Sequence, residues 1–97
     1  MNCTVKYVPQ FIDDFNRLSK QEKLLVRSAI DKIRDNPHSK ADGGFGRLLM
    51  YFPNECLLTV KIIFTDIRIV YKLIKQDDES LTVIFAAVMN DTAKSII

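Results

Sequence analysis

Two periodicities divide the chain. From Pro9 to Asn36 apolar residues return every three or four positions; from Leu48 to Met89 they alternate or run together in short β-branched blocks. Ahead of both, residues 3–8 set Cys3, Val5 and Tyr7 against Thr4 and Lys6, the pattern of a short strand. Pro9 suits a first helical position, where a missing N–H leaves nothing unpaired. Phe11, Ile12, Phe15 and Leu18 then fall at helical spacing, with Asp13, Asp14, Asn16 and Arg17 on the other face. Ser19-Lys20-Gln21-Glu22 has the form of a capping box, in which the Ser oxygen and the Glu carboxylate each take one orphan N–H. It opens a second helix with Leu25, Val26, Ala29, Ile30 and Ile33 on one side. Asn36-Pro37 ends that helix, because the residue before a proline is driven out of the helical region. Almost no chain separates the two helices, so an antiparallel hairpin is expected.

Gly43, Gly44 and Gly46 predict a loop with mobile backbone over residues 38–46. Strands are predicted at 48–52, ended by Pro53-Asn54, and at 57–64, 67–74 and 81–89, with a polar turn at 77–80. The tail from 90 to 97 suggests a short helical turn capped by Asn90 or Asp91. One strand, two helices and about four strands, with no linker or repeat, predict a single α+β domain over 1–97. Its helix hairpin packs on one face of a mainly antiparallel, four- to five-stranded twisted sheet.

The segment 59–72 carries the most chemistry. With Thr65-Asp66 as a two-residue turn, Ile63 faces Arg68 and side chains alternate outward. One face then holds Val60, Ile62, Phe64, Ile67, Ile69, Tyr71 and Leu73, all apolar or aromatic. The other holds Thr59, Lys61, Ile63, Arg68, Val70 and Lys72, three of them cations.

Composition sharpens this. A chain of 97 residues has room for one core. Lys+Arg 14 against Asp+Glu 12 is too balanced for a protein that binds nucleic acid by bulk charge. The +2 hides an uneven distribution: between Arg47 and Lys75 stand Arg47, Lys61, Arg68, Lys72 and Lys75, against only Glu55 and Asp66. Like charges repel across a sheet unless an anion is expected. A polyanion such as RNA answers that pattern best, and an acidic peptide next. Two cysteines make no disulfide scaffold, no apolar run approaches the roughly 18 residues of a membrane span, and the start of the chain lacks the form of a secretion signal. A cytoplasmic protein with free thiols is expected, with no membrane role. The lack of C-x-x-C or clustered metal-ligand residues predicts no metal and no redox cofactor.

Residues 67–74, Ile67-Arg68-Ile69-Val70-Tyr71-Lys72-Leu73-Ile74, preceded by Thr59-Val60-Lys61-Ile62, resemble the core signature of the RelE/ParE toxin superfamily. The helix hairpin, the Asn36-Pro37 stop and the Gly46-Arg47-Leu48-Leu49 entry to the sheet fit the same resemblance, which spans roughly Val5 to Met89. It implies a toxin of a type II toxin–antitoxin pair, with a cognate antitoxin as partner, as monomer or toxin–antitoxin hetero-oligomer. In the RelE branch it implies a metal-independent endoribonuclease that cuts mRNA on the ribosome. There the 2′-hydroxyl attacks the adjacent phosphate and basic residues stabilise the phosphorane and the leaving group. By position Arg68 matches the arginine at the scissile phosphate, and Lys61 a lysine that supplies charge stabilisation or acid–base help. Arg47, Lys72 and Lys75 would grip flanking RNA phosphates. The ParE branch shares the fold but inhibits DNA gyrase without cutting RNA. Ribonuclease-type members usually carry an arginine after the last strand and a tyrosine in the C-terminal segment; residues 86–94 here contain neither, and Thr59 stands where a second lysine is common. Asp91 and Lys94 are the candidate substitutes. A ribonuclease, a gyrase inhibitor and a lapsed member that only binds its antitoxin therefore all stay open.

His38, the one histidine, is a candidate acid or base, though a lone loop histidine is more often merely exposed. Tyr51 and Tyr71 could stack on bases, but Tyr71 falls on the core face. Gly43-Gly44-Phe45-Gly46 lacks the Lys-Ser/Thr of a P-loop, and Asp77-Asp78-Glu79 reads as a solvated turn rather than a cation site.

Overall fold

The computed structural model describes residues 2–77 and 79–90, with only the backbone of Asn2. The elements are β1 (Asn2–Tyr7), α1 (Pro9–Asn16), α2 (Lys20–Asp35), a 3₁₀ turn (Lys40–Asp42), β2 (Arg47–Phe52), β3 (Glu55–Lys61), β4 (Ile67–Lys75) and β5 (Ser80–Asn90). They form one five-stranded sheet in the order β1-β5-β4-β3-β2. β1 runs parallel to β5, and the other neighbours are antiparallel. The α+β architecture is as the sequence predicts. Asn90, the first residue of the expected helical turn at 90–97, is the last of β5, and the rest of that turn lies outside the described residues.

Local chemistry sets the helices. Pro9 opens α1. At α2 the capping box is formed on both sides: Glu22 N donates to Ser19 Oγ at 3.2 Å, and Ser19 N to Glu22 Oε1 at 2.8 Å. Phe11 from α1 and Val26, Ile30 and Ile33 from α2 are buried against Leu58, Ile69, Tyr71, Val83 and Phe85 of the sheet. Ile12 and Leu25, placed on the inner faces by spacing alone, are exposed. The two helices meet the sheet along a narrower stripe than the apolar one. At the sheet's other edge all six residues of β2 are exposed. A register shift at Leu49 interrupts the pairing of that apolar strand, a bulge of the kind that blunts open edges.

Asp14 fastens α1 to β5. Val70 pairs with Ala87 but Tyr71 with Phe85, so Ala86 is an extra residue in β5. Past the end of β1 the Val88 N–H donates to Asp14 Oδ2 at 3.0 Å, while Gln10 Nε2 donates to Asp14 Oδ1 at 2.7 Å. Asp14→Ala leaves the Val88 N–H without that acceptor and is expected to destabilise the fold by about 1–3 kcal/mol. Urea unfolding checks this; an unchanged midpoint would refute it.

The loop at 38–46 differs from expectation: its backbone is tied down. Lys40 N donates to Gly46 O (2.8 Å), Gly44 N to Ser39 O (2.8 Å) and Asn36 Nδ2 to Gly43 O (3.1 Å). Its glycines answer to close approach. A methyl group on Gly44 would overlap the His38 carbonyl, and one on Gly46 would overlap the Tyr71 hydroxyl. Tyr71 is fully buried and its hydroxyl donates to Pro37 O at 3.0 Å, joining β4 to the end of α2. Burial pushes its phenol above the ordinary value of 10.0. The protonated form is thus favoured in the fold, and this contribution is present below pH ~10 and lost as pH rises beyond it. Tyr71→Phe is expected to cost about 1–3 kcal/mol at pH 7 by stranding the Pro37 carbonyl, and to remove that part of the alkaline loss. Denaturant midpoints at neutral and alkaline pH measure both effects.

Candidate functional site

The β3–β4 hairpin positions the site, with a register two residues away from the predicted one. Lys61, not Ile63, faces Arg68, and Thr59 faces Val70. The loop has four residues, 63–66, closed by Ile62 N donating to Ile67 O at 2.9 Å. The reason lies in Thr65. A two-residue hairpin turn of the common type wants positive φ at both central residues, which β-branched Thr resists. Instead the Thr65 hydroxyl donates to Ile62 O at 2.8 Å and accepts from Ile67 N at 3.1 Å. Phe64 takes the left-handed conformation (φ 65°) and is fully exposed, not on the core face. A shift of two preserves the faces of the rest. Ile62, Ile67, Ile69, Tyr71 and Leu73 are buried, and Lys61 and Arg68 sit opposite one another on the other face.

β2 begins at Arg47, whose partner is Thr59, so the edge of β3 beyond Thr59 has no β2 residue beside it. There the structure opens a groove of about 560 Å³. α2 lines it with Leu25, Ala29, Lys32 and Ile33, the loop with Lys40 and Phe45, and the sheet with Arg47, Thr59, Val60, Lys61, Ile62, Ile63 and Arg68. Five cations converge on an apolar floor, and no carboxylate of the described residues lines it. Two smaller cavities, each about 360 Å³, both include Asp31 beside Arg34 and so carry mixed charge. Of these three, the groove alone is lined by described residues of one sign. Within it Thr59 is 4% exposed, and its Oγ1 is buried without a hydrogen-bond partner.

Of the residues proposed from sequence, the structure brings together Arg47, Lys61 and Arg68. Lys32 and Lys40 join them. No local pattern reveals these two, because only tertiary packing carries α2 and the loop to β3. Lys72 lies four residues beyond Arg68 on β4, and its Nζ is 3.6 Å from Glu55 Oε1. Lys75 is exposed at the end of β4, and Tyr51 is exposed on edge strand β2; neither lines the groove. His38 is half-buried at the base of the loop and does not line it either. Gly44 N and Gly46 N donate to Ser39 O and His38 O within the loop itself, so those amides are not turned to an external phosphate. Asp91 and Lys94 lie outside the described residues. Glu79 N donates to Asp77 Oδ1 at 2.8 Å, as in a polar turn. Among the described residues no group of three His, Cys, Asp or Glu could hold a metal, and no helix is long and apolar enough to cross a membrane.

A two-helix hairpin seated on a mixed sheet of this order defines a small α+β fold. Solved structures share it. The archaeal RelE–RelB complex from Pyrococcus horikoshii OT3 superposes with TM-score 0.72 at 16% identity, covering 95% of this chain and 98% of that one. A mutant of the E. coli toxin RelE in the free state gives 0.66 at 16%, covering 98% and 90%. The intact E. coli RelBE toxin–antitoxin complex gives 0.64 at 15%, covering 90% and 94%. The chain therefore has the RelE fold. No protein-family model matches its sequence, and no curated protein matches it.

Proposed function

We propose that this protein is the toxin of a type II toxin–antitoxin pair and acts as a metal-independent endoribonuclease on ribosome-bound mRNA. The observation that carries the proposal is the groove itself, lined among the described residues by five cations and no carboxylate, on a fold shared with RelE toxins. Arg68 holds the scissile phosphate while the neighbouring 2′-hydroxyl loses its proton and attacks it, expelling the 5′-oxygen of the next nucleotide as a hydroxyl and leaving a 2′,3′-cyclic phosphate. Lys61, directly across the ladder, stabilises the charge that builds on the phosphorane. Arg47 grips a flanking phosphate. Two of the structural neighbours are complexes of RelE with RelB. By analogy a cognate antitoxin would bind here, and the sign of the groove suits an acidic segment of it.

One observation favours a second reading. The described end of β5, Ala86-Ala87-Val88-Met89-Asn90, has neither an arginine nor a tyrosine to share the chemistry. A protein that uses the same fold to inhibit DNA gyrase would need neither.

The test expresses the chain without its antitoxin. Primer extension on ribosome-bound mRNA should show cuts that disappear when ribosomes are omitted. Growth arrest with intact mRNA and DNA-damage signalling would replace the ribonuclease with the gyrase inhibitor. No arrest and no cleavage would leave only a protein that binds its antitoxin.

A further inference from the structure

The two open edges of the sheet differ. β2 is interrupted by its bulge, whereas β1 pairs with β5 in unbroken register from Asn2 to Tyr7. Among the described residues no strand lies on the other side of β1. Val8 N donates to Phe85 O at 3.1 Å, so alternation turns the peptide groups of Lys6 and Thr4 toward β5 and those of Cys3, Val5 and Tyr7 away from it. Such outward groups are a template for another strand. Beside them lie the two cavities of mixed charge. Tyr7, 41% exposed, lines one with Asp31 and Arg34; Cys3 and Val5 line the other with Asp31, Arg34 and Asp35. A two-fold contact sets a patch against itself, so it needs both signs of charge. This edge has them, and the cationic groove does not.

We propose that β1 pairs antiparallel with β1 of a second copy of this chain, about a two-fold axis at Val5. Charge and length select that register. Centred on Lys6, the pairing sets two lysines face to face. Centred on Thr4, it carries Tyr7 past the start of the partner's β1. Centred on Val5, it pairs Val5 with the partner's Val5, Cys3 with the partner's Tyr7, and Lys6 with the partner's Thr4, so no like charges meet. Each outward-facing pair exchanges both of its N–H···O bonds. The partner's Tyr7 then stands next to the cavity that Cys3 and Val5 line. Because β1 and β2 are opposite edges, the pairing joins two five-stranded sheets into one and leaves both cationic grooves open. It holds whatever those grooves bind.

Sedimentation equilibrium of the full chain over a concentration series reads the dimer, expected by about 100 µM protein. Thr4 is exposed, so its variants test the register without touching the core. Thr4→Glu sets a carboxylate opposite the partner's Lys6, twice per dimer, and should tighten the dimer about threefold or more. Thr4→Lys sets like charges there and should loosen it by a similar factor. Hydrogen exchange at the amides of Cys3, Val5 and Tyr7 should slow as concentration rises into the dimer range. A chain that stays monomeric throughout overturns the proposal. So does a dimer that responds alike to both Thr4 variants. Protection of those three amides in dilute, monomeric protein would mean that the chain covers its own edge, and this too overturns it.

Discussion

Arg68→Ala is expected to slow mRNA cleavage at least about a hundredfold, the usual cost of removing one preorganised group that stabilises transition-state charge. The expectation follows from where the side chain stands. Arg68 is half-buried, on the sheet face opposite the core, with Lys61 as its cross-strand partner. β4 is held in place by strands on both sides, so the guanidinium is presented from the most braced part of the molecule. The next cations along β4 stand away from the groove. Lys72 is spoken for by Glu55, and Lys75 lies further along the strand. Arg68→Lys should recover only part of the rate, because an ammonium keeps the charge but not the two-pronged geometry. Single-turnover cleavage on programmed ribosomes, with protein shown to be folded, measures the ratio. A loss below threefold for Arg68→Ala would remove Arg68 from the chemistry and with it the proposed mechanism.

Gly44→Ala is expected to cost about 3 kcal/mol or more, a large share of the stability of a domain this size. The added methyl meets the backbone carbonyl of His38, not the movable end of a side chain. Relief requires opening the loop, which breaks the Gly44 N to Ser39 O bond and the Lys40 N to Gly46 O bond behind it. Gly43 is the internal control. It has φ +89° but open space around it, so Gly43→Ala pays only for backbone strain, about 1 kcal/mol. Denaturant midpoints at constant m-value separate the two. Equal midpoints would mean that the loop yields freely. Because this loop carries Lys40 and Phe45 to the groove, Gly44→Ala should also weaken RNA binding in protein that remains folded.

What was legible in the sequence is what short-range physics decides. The capping box at Ser19, Pro9 at a helix start, the Asn36-Pro37 stop and the alternation through 67–74 all act over a few residues, and each became the expected element. The faces of β3 and β4 were also legible, and so was the opposition of core and cations. What failed was set by single side chains or by packing. One threonine hydroxyl chose a four-residue loop over a two-residue turn and sent Phe64 into solvent. The three glycines read as freedom, yet two of them mark places where chain passes against chain. Of the groove's five cations, Arg47, Lys61 and Arg68 come from adjacent strands and could be paired on paper. Lys32 and Lys40 come from elements whose distance to β3 no periodicity encodes.

The sheet order bears on how the molecule is made. β5, the last of the strands to be synthesised, is inserted between β1, the first, and β4. β1 must wait through the translation of everything between Tyr7 and Ser80 before its partner exists. α1 waits too, since Asp14 grips Val88. A nascent chain halted before Ser80 can form the β2–β3–β4 meander but has no strand to join it to β1 and no anchor for α1, so its groove lacks the support that sets Arg68 in place. Translation must therefore pass β5 before the chain can take the fold that sets Arg68 in place, and chains halted earlier should be inactive.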